Sequence, residues 1–111
     1  MTKTISNRHT IEQALATLAG SADRTFGVVL EHGSLQLGFY KPDRTDPQDP
    51  HDRDEVYVIC SGSGFLVLEG ERQPVASGDA LFVPAKAVHR FEDFTNDFAA
   101  WVMFYGPRGG E

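Results

Sequence analysis

Near the start of the chain, apolar residues fall at helical spacing: Ile11, Ala14, Leu15 and Leu18. Thr10 stands just ahead of them and Gln13 follows it by three, the arrangement of a capping box, in which a hydroxyl and a side-chain amide close the first free backbone groups. Gly20 sits where a helix C-terminal glycine belongs, so the pattern predicts one short helix over residues 11–19. From Thr25 onward the pattern changes to short apolar and β-branched runs separated by turns. The runs are Phe26 to Leu30, Ser34 to Tyr40, Val56 to Ile59, Phe65 to Leu68, a short one opening at Val75, Ala80 to Val83, Val88 to Phe91 and Ala99 to Tyr105. Glu69-Gly70-Glu71 joins two runs so closely that they predict an antiparallel hairpin. Seven or eight strands at this spacing predict an all-β fold, an antiparallel barrel or jelly roll with one short N-terminal helix.

Two segments escape the pattern. Residues 41–50 carry prolines at 42, 47 and 50, which excludes a central strand and leaves a long loop of the kind that often carries function. The tail over residues 106–111 reads as a frayed end. The 111 residues fit one domain over 1–111, with the barrel over residues 25–105.

Charge narrows the partners. Ten Lys and Arg against sixteen Asp and Glu give a formal net charge of −6, which disfavours nucleic acid. No basic cluster fits an anionic membrane surface, and no apolar run reaches the roughly 18–20 residues of a spanning helix. Cys60 is the only cysteine and the N-terminus lacks an apolar leader, so the expected location is the cytoplasm.

Candidate chemistry gathers around one strand. Asp49, His51 and Glu55 all occupy odd positions, and residues two apart on an extended strand share a face. If the extended backbone starts by Asp49, all three point one way, with Tyr57 and Ile59 continuing that face. The opposite face carries Val56, Val58 and Cys60, so the strand is expected to be buried on both sides. Buried ionisable groups are costly unless paired or metal-bound, and one divalent ion satisfies such a set together. His89 lies five residues after Pro84, at the start of a later strand. The plainer reading pairs Glu55 with Arg53 or Arg90, keeps Cys60, Tyr40, Phe82, Phe91, Trp101 and Phe104 as packing residues, and leaves Asp49 capping a turn beside Pro50.

Here the chain resembles the cupin superfamily. The first cupin motif has two histidines two apart, then a glutamate, then a glycine seven residues on. Asp49-Pro50-His51, Glu55 and Gly62 stand in that register. The second motif has a glycine, a proline six residues on and a histidine five beyond, matched by Gly78, Pro84 and His89. Asp49 replaces the first histidine, Lys86 the usual glycine of the second motif, and Asp93 its final asparagine. The resemblance implies one divalent metal ion, Fe, Mn, Zn or Ni, held by His51, Glu55, His89 and the residue at position 49, with Gln48 as the fallback ligand. Without Asp49, two histidines and a carboxylate still make the facial triad of non-haem iron sites. Tyr57, on the ligand-bearing face, is the expected catalytic residue, positioning a substrate or donating a proton. The resemblance further implies a homodimer, with the helix and first strand packed on a second copy. Three functions fit: a small metalloenzyme of dioxygenase or isomerase type acting on a small polar molecule, a non-catalytic module binding a sugar or acid in the same cup, and a metal-free dimeric scaffold.

Overall fold

A computed structural model describes residues 6–111. The helix α1 runs over Ile11–Ala19, and its capping box forms as the sequence predicts: the Gln13 backbone N–H donates to Thr10 Oγ1 (3.1 Å) and the Thr10 N–H to Gln13 Oε1 (2.9 Å). Eight strands follow: β1 Phe26–His32, β2 Leu35–Tyr40, β3 Asp54–Ser61, β4 Ser63–Leu68, β5 Glu71–Ala76, β6 Ala80–Val83, β7 His89–Glu92 and β8 Ala99–Tyr105. They form two antiparallel sheets, one ordered β1-β2-β8-β3-β6 and the other β5-β4-β7. The fold is therefore all-β with one short helix.

Inward-facing residues of both sheets fill the space between them. Tyr57, Ile59, Val83, Ala100 and Val102 from the larger sheet meet Leu66, Val75 and Phe91 from the smaller one in one buried cluster. Burying a side chain such as Leu66 or Ile59 contributes about 1.5–3 kcal/mol. A second, smaller cluster lies on the outer face of the larger sheet, where Ala14 and Leu18 of α1 pack over Phe39 and Ala99.

Local chemistry sets the turns. Glu69 (φ 49°) and Gly70 (φ 82°) both adopt positive φ between β4 and β5, the two-residue hairpin loop whose twist matches the flanking strands. Gly62 (φ 75°) carries the chain from β3 in one sheet to β4 in the other. A Cβ there would lie 2.8 Å from the Phe98 backbone and closer still to the Thr95 hydroxyl, so no other residue fits.

Three expectations need correction. The outward face of β3 is half-buried rather than buried, because α1 covers only one end of the larger sheet. Across the uncovered part, Leu30, Leu37, Met103, Val56 and Phe82 stand in register as one apolar row over all five strands. Phe82 belongs to that row and is 53% exposed instead of lying in the core. The tail is not frayed: the Gly109 N–H donates to the Asp52 carbonyl (2.6 Å), and the Glu111 N–H to the Asp54 carboxylate (3.0 Å).

Candidate metal centre

The residues ahead of β3 are held from two sides. The Lys86 N–H donates to the His51 carbonyl (2.6 Å), from the turn that precedes β7. Asp54 accepts from the Ala85 N–H (2.9 Å) on that same turn and from the Glu111 N–H (3.0 Å) of the tail, and these two bonds hold its carboxyl below the ordinary range. Lys86 itself sits at φ 69°, the left-handed conformation glycine favours, at the position where the sequence departs from its pattern.

Glu55 enters from β3, opposite Val83 of β6 and Phe104 of β8, and is fully buried. His89 opens β7 in the facing sheet, opposite Leu68 of β4. The two meet across the interior, with His89 Nε2 2.9 Å from Glu55 Oε1. His51 Nδ1 lies 3.1 Å from the same carboxylate oxygen, with its ring edge-on to Phe104. The ligand atoms of His51, Glu55 and His89 all lie within 4.8 Å of one another. Arg53 bonds to Ser34 and Gln36, and Arg90 to Glu92, so neither pairs with Glu55.

The hydrogen bonding of this group is incomplete for protein atoms alone. His89 Nδ1–H donates to the Ala87 carbonyl (2.9 Å), which turns Nε2 towards Glu55. In the neutral ring, that leaves a nitrogen lone pair facing a carboxylate. Glu55 Oε2 is buried with no partner. Burial pushes the Glu55 carboxyl up, yet the His51 and His89 contacts outweigh it and hold the group below its ordinary value. Burial likewise pushes His89 down, and the bonds to Glu55 and the Ala87 carbonyl reverse this and raise it. The pair therefore draws a positive charge into the site, as a proton or as a metal ion. Two imidazole nitrogens, each about 3 Å from one carboxylate oxygen and all three donors within 4.8 Å of one another, can close around an ion with bonds of about 2.0–2.2 Å.

Asp49 is exposed and is not brought into this group, because the backbone becomes a strand only at Asp54 and the alternation of faces does not extend back to position 49. Tyr57 points inward from β3 and is buried, its hydroxyl 3.2 Å from His89 Nε2 and 3.1 Å from Gln48 Oε1. Burial, and then the nearby Glu55 charge, push its phenol well above its ordinary value, so the proton stays on. Cys60 is raised by burial and donates weakly to the Ala99 carbonyl, consistent with packing.

Sequence reasoning missed Asp46. It is buried inside the proline-rich loop, and its carboxylate accepts from the Tyr40 hydroxyl, the Phe91 N–H (2.8 Å) and the Gln48 amide (2.6 Å). No periodicity marks a loop residue whose partners lie on two other strands. A cavity of about 460 Å³ opens beside the group, walled by Phe26, Tyr40, Gln48, His51, Tyr57 and Phe104 among others.

The family model described as a cupin domain matches residues 37–105. An uncharacterised protein of Streptomyces coelicolor is 35% identical over 80 residues, 70% of this chain and 76% of that protein. Among solved structures, a cupin 2 conserved barrel domain protein from Salinispora arenicola is similar with a TM-score of 0.67 and 15% identity, over 94% of this chain and 91% of that one. KdgF from a Halomonas species is similar with a TM-score of 0.65 and 24% identity, over 75% of this chain and 78% of that one. At these identities the solved structures speak to the fold alone. No helix among the described residues is long and apolar enough to cross a membrane.

Proposed function

The chain belongs to the cupin family, and on that premise we propose that His51, Glu55 and His89 hold one divalent metal ion in a small metalloenzyme acting on a small polar molecule. The observation that carries this reading is the unsatisfied interior: a buried Glu55 oxygen without a partner, beside a carboxylate oxygen that two histidine nitrogens approach at 2.9 and 3.1 Å. A donor set of two imidazoles and one carboxylate suits Fe, Mn, Zn or Ni and leaves coordination positions open. When bound, such an ion polarises a carbonyl or activates oxygen, the chemistry of an isomerase or a dioxygenase. The protein's own contribution is positional. His89 is fixed through Ala87, His51 through Lys86, and Tyr57 faces the centre from the cavity wall. The adjoining cavity supports a small-molecule ligand that reaches the centre past His51, whose side chain is 33% exposed. Asp49 is not part of the proposed centre.

The same reading takes residues 1–111 as one domain, working in the cytoplasm as a homodimer. The uncharged row from Leu30 to Phe82 supports face-to-face pairing of two copies, because it brings together no like charges despite the formal net charge of −6. Calorimetric titration of chelator-treated protein with Zn²⁺ and Mn²⁺ tests the centre. The expected result is one site per chain that Glu55→Ala abolishes. Binding that survives Glu55→Ala contradicts the assignment.

A further inference from the structure

Two residues of the proline-rich loop, Asp46 and Gln48, decide which way the Tyr57 proton points. Four donors converge on the Asp46 carboxylate: the Tyr40 hydroxyl, the Phe91 N–H at 2.8 Å, the Gln48 N–H at 3.4 Å and the Gln48 side-chain amide at 2.6 Å. A carboxylate only accepts, so the end of the Gln48 amide facing it is the NH₂. That fixes the Gln48 oxygen towards Tyr57, 3.1 Å from its hydroxyl. An amide oxygen also only accepts, so the single phenolic proton lies on the line to Gln48. With His89 Nε2 committed to the ion, what Tyr57 turns towards the centre, 3.2 Å from that nitrogen, is therefore an oxygen lone pair.

Resting on the proposed metal centre, we infer that Asp46 and Gln48 set Tyr57 as a hydrogen-bond acceptor, which selects ligands carrying an O–H or N–H beside the atom that meets the ion. The substrate class is a small hydroxy or amino compound. An ether, or any analogue whose donor hydrogen is replaced by methyl, leaves the Tyr57 oxygen without a partner inside a buried wall. Asp46 and Gln48 are positioning residues for this selection: their effect on it runs through the phenol. Proton donation by Tyr57 requires first breaking its bond to Gln48, so its role at rest is to receive a hydrogen bond.

The test compares glycolate with methoxyacetate, which differ by O–H against O–CH₃ next to the carboxylate. Chelator-treated protein is reloaded with Co²⁺, whose visible absorption reports both the metal and its ligands. Glycolate is expected to bind about tenfold more tightly than methoxyacetate, the worth of one hydrogen bond to an otherwise unsatisfied acceptor. The ratio should fall to within about twofold in Tyr57→Phe. It should also fall in Gln48→Leu, which frees the phenol to rotate. Equal affinities in the native protein, or a preference that persists in Tyr57→Phe, overturn the inference while the metal centre stands. Failure to bind Co²⁺ overturns the metal-centre reading and this inference with it.

Discussion

A carboxylate as enclosed as Glu55 keeps its charge only where positive or hydrogen-donating groups meet it, and His51 and His89 are placed to do so. This coupling has a sign that can be measured. The Glu55 carboxyl is held below its ordinary 4.5, so its stabilisation is present above that pH and is lost as pH falls through the depressed value. His89 is raised above its ordinary 6.5, so its stabilisation is complete below 6.5 and is lost as pH rises through the raised value. With respect to this pair, metal-free protein is therefore most stable between 4.5 and 6.5. Thermal melts of chelator-treated protein should show Tm falling from about pH 6 to about pH 9, a fall that His89→Ala removes. A Tm that rises over that range contradicts the coupling. Much of this residue-level picture was legible in the sequence. The odd positions of Glu55, Tyr57 and Ile59 identified one face of β3, and all three are buried. Asp49 shows where the rule stops, since alternation holds only while the backbone is extended, and extension begins at Asp54.

At the scale of elements, what the sequence predicted well is local. The helix bounds follow from a four-residue capping box at one end and Gly20 at the other, and the β4–β5 hairpin from a two-residue turn. What it predicted poorly depends on distant partners. The tail looked frayed because glycine and proline disfavour regular structure, yet Asp52 and Asp54 tie it down from more than fifty residues away. The prolines mark residues 41–50 as irregular, but the loop's anchor Asp46 is defined by Tyr40 and Phe91 on other strands. Gly62 combines both kinds of information: its place in the motif is local, while the reason for glycine is the Thr95 hydroxyl and the Phe98 backbone packed against it. Gly62→Ala should therefore destabilise the fold by about 2 kcal/mol or more, from positive φ plus the clash. Chemical denaturation reads this as a lowered midpoint with an unchanged slope. A midpoint within error of the native protein rules the packing argument out.

At the scale of the molecule, the two sheets enclose the centre, with Glu55 contributed by one and His89 by the other. The sequence named both residues, but their approach to 2.9 Å is a property of sheet packing that no single strand encodes. The same limit explains Phe82: its run of apolar neighbours marks a strand, and only the sheet order reveals that it faces outward. If a second copy covers that outer row, Met103→Glu should convert dimer to monomer in sedimentation velocity at micromolar concentration without unfolding the barrel. A native protein that already sediments as a monomer removes the dimer from the account. The centre is tested most directly by elemental analysis of protein purified without a metal-affinity tag, alongside His51→Ala and His89→Ala. Close to one Fe, Mn, Zn or Ni per native chain, and almost none in either variant, is the expected result. Metal-free native protein that also takes up no metal on reconstitution, with both variants behaving alike, contradicts it.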